Sequence, residues 1–282
     1  MLLLVAFMWG STFVASKFLL NDFSPIFLIS VRFILASVLM SFIFRDEMSQ
    51  IKRNDIKGGV IVGLTLFIAF YLQLFALKFT DPGKQAFLAG TYVVFVPFIN
   101  WALHKIKPTM KSIISVMLCF VGISFLTLGS DLNINQGDLI TVLSSVFFAA
   151  HIIATNYYTN RSTPKKISAI QFITVAILST SIVLITSSYP PRFDLGHLLP
   201  ILYLGLVCTG VAYSLQTFAQ KHTSNTTTAI ILSLESVFGS ILSVLLYQEV
   251  FTSKMVLGSI IILISILVSE VTLKKTKELV YE

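Results

Sequence analysis

Long apolar stretches constrain the fold of this chain more than any other feature. A helix that crosses the hydrocarbon core of a bilayer needs about 20 mostly apolar residues. Ten stretches meet that requirement, at roughly 2–20, 26–44, 57–78, 85–103, 110–128, 138–157, 168–186, 198–219, 226–248 and 252–272. Turn-forming pairs such as Ser24-Pro25 and Thr163-Pro164 separate them. The pattern predicts an all-α integral membrane protein with ten transmembrane helices.

The overall composition excludes a soluble domain. Hydrophobic residues make up 55% of the chain and charged residues 12%, against about 45–50% and about 25% in soluble domains. The net charge of +7 does not indicate nucleic-acid binding, because the basic residues lie mostly in short loops and in the tail after Glu270. Cys119 and Cys208 fall inside apolar stretches, and we expect small buried side chains rather than a disulfide or a metal site.

The distribution of basic residues predicts the orientation in the membrane. With the N-terminus in the cytoplasm, fourteen lysines and arginines fall in inside segments and four in outside segments. Cytoplasmic loops carry an excess of this kind. We therefore expect a multi-pass protein with both termini in the cytoplasm.

The sequence contains an internal repeat. A shift of 139 residues places Trp9 to Ser16 over Phe148 to Thr155. Further along, a shift of 143 residues places Gln73 to Ala86 over Gln216 to Ala229. The same apolar and polar pattern therefore occurs twice.

The repeat predicts one transmembrane domain, 1–282, made of two five-helix units at about 1–130 and 131–282. Because five is odd, the second unit enters the membrane from the opposite side. Inverted repeats are typical of secondary transporters, in which the binding site lies near the middle of the bilayer between the halves.

Several short motifs follow one another in a recognisable order. They are Trp9-Gly-Ser, Arg32-Phe33, Pro97, Leu234-Glu235-Ser-Val-Phe238, Gln248-Glu249 and Gly258. In this order, and in a five-plus-five layout, they resemble the ten-helix EamA-type permeases of the drug/metabolite transporter superfamily, over essentially the whole chain. The resemblance implies export or exchange of small metabolites across the bacterial inner membrane.

Two positions depart from that family's pattern. Its members usually have proline after the glutamate in the middle of the ninth span and glycine before the later glutamate, whereas this chain has Ser236 and Gln248. The serine weakens the expectation of a break in the ninth span.

Glu235 is the one carboxylate in the middle of an apolar stretch. It lies about ten residues into 226–248, hence near the middle of the bilayer. Charged groups at this depth are rare and often mark transport pathways. Two interpretations stay open: a proton acceptor or partner for a cationic group, and a protonated glutamate satisfied by a neighbouring helix.

A polar and aromatic face occurs once in each half of the chain. Trp9, Thr12 and Ser16 share one face of the first span. Their counterparts in the repeat are Phe148, His151 and Thr155. Such faces suit a shared central cavity, and His151 is a second titratable group that could couple to Glu235; interhelical hydrogen bonding is the alternative.

Other polar side chains lie at comparable depths. Tyr71, Gln73 and Gln216 are candidates for the cavity, and Tyr213 is either a cavity residue or part of an aromatic belt. The shift of 143 places Tyr92 over Glu235. The candidate substrate-binding residues are therefore Trp9, Thr12, Tyr71, Gln73, Tyr92, His151, Gln216 and Glu235.

The remaining charges within or beside the spans have simpler interpretations. We expect Arg32 to extend toward the outer interface and pair with Asp22, with attraction of anionic groups as the alternative. Lys17 is expected to be an interfacial anchor. Glu249 is expected to cap a helix or pair with Lys254.

Enzyme and nucleotide motifs are not found, so we expect no enzymatic activity, no cofactor and no metal. The predicted function is secondary transport, by alternating access, of small metabolites such as amino acids or drugs, with export favoured. The partners are a small-molecule substrate, the lipid bilayer and protons as a candidate coupling ion, but not nucleic acid. A lipid or lipid-linked substrate flippase and a membrane-embedded enzyme are the alternatives, and the sequence leaves monomer and homodimer open.

Overall fold

The computed structural model describes residues 1–80, 82–105, 107–127, 135–190, 193–247 and 253–278. All regular secondary structure within these ranges is helical. The helices α1 to α15 are, in order, Leu2–Gly10, Thr12–Leu19, Pro25–Ile43, Arg45–Met48, Arg53–Ala76, Pro82–Gly90, Tyr92–His104, Met110–Thr127, Gln136–Thr159, Pro164–Thr186, Leu198–Leu202, Ala212–Gln220, Asn225–Leu232, Glu235–Tyr247 and Ser253–Glu278. A 3-10 turn, Leu195–His197, precedes α11, and a π-helical segment, Tyr203–Val211, joins α11 to α12.

Length and composition make several of these segments suitable for crossing a membrane. Six qualify fully within the described residues: Leu2–Leu19, Pro25–Ile43, Arg53–Ala76, Gln136–Thr159, Pro164–Thr186 and Leu195–Gln220. Shorter apolar helices lie at Leu88–His104, Met110–Phe125 and Val256–Val268. The prediction of an all-helical membrane protein is confirmed, and the number of ten spans stays a prediction.

The helices begin where the sequence supplies caps. Ser24 Oγ accepts a hydrogen bond from the Phe27 amide, directly before the proline that starts α3. At the start of α9, Asn135 and Asp138 accept hydrogen bonds from each other's backbone amides. Such caps satisfy backbone N–H groups that lack partners in the first helical turn.

Interruptions divide three of the predicted spans. The first breaks at Ser11, the fourth at Thr91 and the ninth at Ser233 and Leu234. At the last two, the Thr91 amide donates to the Leu88 carbonyl at 3.3 Å and the Leu234 amide to the Ile231 carbonyl at 3.2 Å. These i→i−3 bonds tighten the turn and interrupt the α-helix. The ninth span therefore breaks although it lacks the family's proline. Ser236 was taken to make this break less expected, and that inference was wrong.

Glycines allow helices to approach each other closely at two crossings. On α5, a Cβ at Gly59 or Gly63 would collide with Ile170 or Thr174 of α10. On α1, a Cβ at Gly10 would lie 2.8 Å from the Glu235 carbonyl and 2.8 Å from the Gly239 amide of α14. Small residues commonly permit such contacts between membrane helices. On α14, the close approach to α1 occurs at Gly239.

Polar interactions tie the helix ends together. At one end, Lys166 Nζ lies 3.5 Å from Asp55 Oδ2, in a pair that is almost completely buried. At the other end, Lys17 Nζ donates to the carbonyls of Leu77, at 2.7 Å, and Thr80, at 3.1 Å. Lys17 therefore caps the C-terminal end of α5 and does more than the interfacial anchor we predicted.

Candidate functional site

A central cavity lies between the two halves of the chain. Helices α1, α2, α3, α5, α6, α7, α9, α12 and α14 all contribute to it, and it has a volume of about 40 Å³. Its lining combines aromatic rings, small polar groups and two ionisable side chains of opposite charge: Trp9, Thr12, Phe13, Ser16, Arg32, Phe70, Gln73, Leu74, Leu77, Gln85, Ala89, Tyr92, Phe148, Tyr213 and Glu235.

Glu235 and Tyr92 lie where two interrupted helices resume. Glu235 is the first residue of α14 and Tyr92 the first residue of α7. Both side chains are buried against the protein and line the cavity. The Tyr92 hydroxyl is buried and has no hydrogen-bond partner among the described residues. Among the described residues, no lysine, arginine or histidine forms an ion pair with Glu235.

Arg32 enters the cavity from α3 and does not extend to the membrane interface. It is 2% exposed, its Nε donates to Thr209 Oγ1 at 3.1 Å, and its guanidinium lies 4.9 Å from the centre of the Phe70 ring. The predicted pairing with Asp22 was wrong, because that carboxylate lies 3.1 Å from His197 Nε2. Within the described chain, Arg32 has no carboxylate partner.

The π-helical segment Tyr203–Val211 holds Arg32 in place. Thr209 Oγ1 donates to the Leu204 carbonyl, five residues earlier, at 2.7 Å, and accepts from the guanidinium. The Cys208 carbonyl, also within the segment, accepts from Trp9 Nε1 at 3.1 Å. π-Helical geometry releases backbone groups from the regular ladder and occurs often at functional sites. Here it connects α3 and α1 to the cavity wall.

Residues related by the internal repeat meet around the cavity. Trp9 and Phe148 are 139 positions apart, whereas Phe70 and Tyr213, like Tyr92 and Glu235, are 143 apart. All six line the cavity. The Trp9 and Tyr213 rings are 4.6 Å apart, and Phe70 lies 5.9 Å from Phe148 and 5.8 Å from Tyr213.

The comparison with protein families matches nearly the whole chain. The description of the matching family is "EamA-like transporter family", and the matched residues are 1–128 and 135–270. The chain belongs to the EamA-like transporter family.

Relatives of this EamA-like protein are themselves named as transporters. An "uncharacterized transporter" of Archaeoglobus fulgidus is 31% identical, over 95% of this chain and 83% of that protein. The "uncharacterized transporter YoaV" of Bacillus subtilis is 22% identical, over 97% of this chain and 96% of that protein. These names support a multi-pass membrane transporter rather than an enzyme.

One solved crystal structure has the same fold as this EamA-like chain. It superposes with a TM-score of 0.79 and covers 98% of this chain and 97% of the other. At 14% identity the likeness concerns the fold alone.

Several predicted site residues of this EamA-like transporter line the cavity, namely Trp9, Thr12, Gln73, Tyr92 and Glu235. Tyr71 does not. It is 39% exposed on the outer face of α5, stacked with Phe67 and Phe75. The cavity face of α5 carries Phe70, Gln73, Leu74 and Leu77. Tyr71, one position after Phe70, is rotated by about 100° away from that face.

His151 and Gln216 also lie outside the cavity lining, and both are buried. His151 belongs to a polar cluster. His151 Nε2 is 3.1 Å from Gln171 Oε1 and 3.3 Å from Thr155 Oγ1, and Gln171 Nε2 donates to Thr217 Oγ1 at 3.3 Å. The Tyr213 ring lies 5.8 Å from the His151 ring and itself lines the cavity. No ion pair joins His151 to Glu235 among the described residues, so the coupling of the two stays a prediction. The aromatic-belt interpretation of Tyr213 was wrong, because this residue is buried in the cavity lining.

Buried polar atoms without a hydrogen-bond partner concentrate beside this cluster. Such atoms are costly, because burial removes their bonds to water. Six of them belong to α10, α12 and α13 of the second half: Ser168 Oγ, Ser214 Oγ, Gln216 Oε1, Gln220 Oε1, Asn225 Oδ1 and Thr228 Oγ1. The second half thus contains a closed polar region next to the open cavity.

Sequence reasoning did not place two polar residues, Gln85 and Arg32, in the cavity. Gln85 donates from Nε2 to the Gln73 carbonyl at 2.7 Å, and its buried Oε1 has no partner. Arg32 was assigned mainly to the interface, because burial of a charge cannot be read from its place in a span. Within the described part of the chain, no group of His, Cys, Asp and Glu is placed to hold a metal. Glu249, expected to cap a helix or pair with Lys254, lies outside the described residues.

Proposed function

We propose that this EamA-like protein is a secondary transporter that works by alternating access around the central cavity, with ten spans arranged as two inverted repeats at about 1–130 and 131–282. The observation that carries the proposal is the meeting of three repeat-related pairs at one cavity: Trp9 with Phe148, Phe70 with Tyr213, and Tyr92 with Glu235. An axis that relates the two halves would pass between the members of each pair.

Two further observations support the repeat. One 3-10 bond interrupts the fourth span, from Thr91 to Leu88, and another interrupts the ninth span, from Leu234 to Ile231. The two donor residues are 143 positions apart, and so are the two acceptor residues. The family match also falls in two segments, 1–128 and 135–270. Transporters built from inverted repeats place interrupted helices at the substrate site.

The two halves differ in a way that supports alternating access. Thr12, Ser16, Arg32 and Gln73 line the open cavity. Their repeat counterparts His151, Thr155, Gln171 and Gln216 form or adjoin the closed polar cluster. If the halves exchange conformations, these counterparts line the pathway. The buried polar atoms without a hydrogen-bond partner in this region would then bind water.

The direction we propose is export. With the orientation predicted from the basic residues, the cavity extends toward the outer ends of α2 and α5, at Ser16 and Leu77. The inner side is closed where Asn156 Nδ2 donates to the carbonyls of Gln220, at 2.6 Å, and Thr223, at 3.2 Å. A substrate loaded from the cytoplasm would leave past these outer ends of α2 and α5.

The geometry favours a small soluble metabolite over a lipid. A flippase needs a basic pocket for a lipid headgroup at the interface, and Lys17 and Arg32 are the basic residues in the spans nearest the predicted outer face. Lys17 instead binds two carbonyls at the end of α5, and Arg32 lies deep in the cavity. Amino acids and drug-like molecules remain in the proposed range, with Glu235 as the proton carrier if protons drive export.

Accessibility of repeat-related positions tests the proposal. In a background with Cys119 and Cys208 replaced by alanine, Ser16→Cys and Thr155→Cys each report one side of the pathway. We expect a membrane-impermeant thiol reagent to modify Ser16→Cys from outside and Thr155→Cys from the cytoplasmic side. When both substitutions are present, modification of one cysteine should suppress modification of the other. Tyr189→Cys and Ser49→Cys, both exposed, serve as outer and inner controls.

Two results would contradict alternating access. Modification of both positions from the same side would indicate a channel. Complete protection of Thr155→Cys, under conditions in which Ser49→Cys reacts, would show that the polar cluster is a permanent part of the core.

A further inference from the structure

A second cavity lies at the predicted inner ends of the helices, away from the central one. It opens between the end of α7, the end of α9 and the start of α13, and it has a volume of about 320 Å³. Its lining includes four asparagines, one arginine and one histidine: Asn100, Asn156, Asn160, Asn225, Arg161 and His104. Among the described residues, no aspartate or glutamate lines it. The cavity therefore offers polar groups and a positive charge without a carboxylate to balance that charge.

Arg161 is held in a fixed position at this cavity. The carbon of its guanidinium lies 3.6 Å from the centre of the Tyr157 ring, and Nη1 donates to the Tyr157 carbonyl at 2.9 Å. In the described part of the chain, Arg161 forms no ion pair. A guanidinium has five N–H donors, so most of them remain for a ligand. Because stacking already orders the side chain, a ligand that binds to it loses little conformational entropy.

The helix ends beside the cavity present donors rather than acceptors. At the end of α9, the Asn156 carbonyl accepts a hydrogen bond from Asn160 Nδ2 at 2.9 Å, and the Tyr157 carbonyl accepts from Arg161. These bonds cover carbonyl oxygens that would otherwise repel an anion. The first backbone N–H groups of α13 have no intrahelical acceptor and carry the positive end of the helix dipole. The surroundings of the cavity therefore favour an anion.

Two asparagines join the halves of the chain at this cavity. Asn225 Nδ2 donates to Asn100 Oδ1 at 2.9 Å, and His104 Nδ1 lies 3.1 Å from the same oxygen. Both contacts use the oxygen of the Asn100 amide and leave its nitrogen to donate to a ligand. Asn225 Oδ1 is buried and has no hydrogen-bond partner among the described residues, which is costly unless a ligand donates to it. An anionic group with a hydroxyl group near it would satisfy both asparagines.

We propose that this cavity binds a glycerol phosphate group, carried either by an anionic phospholipid or by a soluble phosphate ester. The phosphate oxygens accept from Arg161, from Asn100 Nδ2 and from the start of α13, and a glycerol hydroxyl donates to Asn225 Oδ1. The predicted location suits this ligand, because the cytoplasmic leaflet carries anionic lipids whose headgroups bind in basic pockets between membrane helices. The site is separate from the central cavity and does not depend on what is transported.

Thermal unfolding of the purified full-length protein in detergent tests the site. The lipid probes are dioleoylphosphatidylglycerol, the neutral dioleoylphosphatidylcholine, and dioleoylphosphatidylmethanol, which is anionic but has no hydroxyl group in its headgroup. We expect phosphatidylglycerol to raise the melting temperature more than either of the others, because a ligand that binds the folded state stabilises it. Glycerol phosphate, the headgroup without acyl chains, distinguishes the two sources. Stabilisation by this probe at millimolar concentration identifies a soluble ester, and its failure beside stabilisation by phosphatidylglycerol identifies a phospholipid.

Two variants connect the stabilisation to this cavity. Arg161→Gln should weaken binding of phosphatidylglycerol by about tenfold or more, the usual effect of losing a hydrogen bond to a charged group. Asn160→Asp places a negative charge next to Arg161 and should weaken binding as much. Arg53→Gln and Asn54→Asp make the same changes at adjacent positions of α5 outside the cavity and should bind as wild type does. All four side chains are exposed, so the substitutions leave the core intact.

Several results would overturn this assignment. They are equal stabilisation by phosphatidylglycerol and either of the other lipids, wild-type affinity in Arg161→Gln or in Asn160→Asp, and the absence of stabilisation by every probe. The transport proposal is tested separately, through the accessibility of Ser16→Cys and Thr155→Cys. Either proposal can therefore fail while the other stands.

Discussion

Tyr92 and Glu235 occupy equivalent places in two interrupted helices and face the same cavity. Each begins a helix immediately after a 3-10 turn, and the two residues are 143 positions apart. Both residues line the cavity between the two halves of the chain. Of these two side-chain types, only glutamate ordinarily carries a charge at neutral pH. The two equivalent positions therefore share a backbone arrangement but differ in their ionisable group.

The first prediction concerns the carboxyl group of Glu235. If it carries protons, Glu235→Gln should abolish the pH dependence of transport in reconstituted vesicles while the protein stays folded. The amide cannot exchange a proton but keeps the shape of the side chain. The measurement is transport across a range of pH values, with Glu47→Gln as the control.

An unchanged pH profile in Glu235→Gln would remove this residue from coupling. Loss of transport accompanied by aggregation would not be counted, because a folded variant is required for the comparison.

The second prediction concerns the crossing of α1 and α14. Gly10→Ala should lower the free energy of unfolding by about 1–3 kcal/mol, the usual cost of overpacking. The new methyl group would lie 2.8 Å from backbone atoms of Glu235 and Gly239, which cannot rotate away. Gly196→Ala is the matched control, because nothing lies within 4 Å of a Cβ at that position. Thermal unfolding in detergent measures both, and equal stability of the two variants would refute the close crossing.

The third prediction concerns the ion pair between the ends of α5 and α10. Lys166→Met should cost about 3 kcal/mol, because it leaves the buried Asp55 carboxylate without its cation. Lys165→Met should cost less than about 1 kcal/mol, because the pair with Glu47, at 3.6 Å, is more exposed. Chemical denaturation distinguishes them, and a larger loss for Lys165→Met would contradict the assigned burial.

The fourth prediction concerns the support of Arg32. Thr209→Val should weaken substrate binding and cost about 1–3 kcal/mol of stability, since it removes the acceptor of the guanidinium Nε. Thr209→Ser should restore both properties, because it keeps the hydroxyl group. Thr186→Val, at an exposed hydroxyl, is the control for the substitution itself. Wild-type binding by Thr209→Val would show that Arg32 does not depend on the π-helical segment.

The sequence was most informative about features that repeat along the chain. The apolar stretches, the caps at Ser24 and Asn135, and the depth of Glu235 follow from local composition and spacing. The shared face of Trp9, Thr12 and Ser16 was also predicted, and all three residues line the cavity. These features depend on backbone hydrogen bonding and on helical periodicity, which act over a few residues.

Helix rotation was harder to predict in this chain. In lipid, the outer face of a helix is as apolar as its inner face, so hydrophobicity does not indicate which side faces the protein. Tyr71 was therefore placed in the cavity although it lies on the outer face of α5. Contacts between distant helices, such as Arg32 with Thr209, 177 positions apart, leave no trace in local sequence.

The sequence by itself determined the class of protein, the position of its helices and the presence of a buried carboxylate, because these depend on hydrophobicity and spacing. Tertiary structure decided which polar residues line the cavity and which are buried away from it. It brought Arg32 into the cavity opposite Glu235 and enclosed His151 and Gln216 in the closed polar region. The physical reason is that a buried charge or amide is defined by its neighbours from other helices, and packing alone brings those neighbours together.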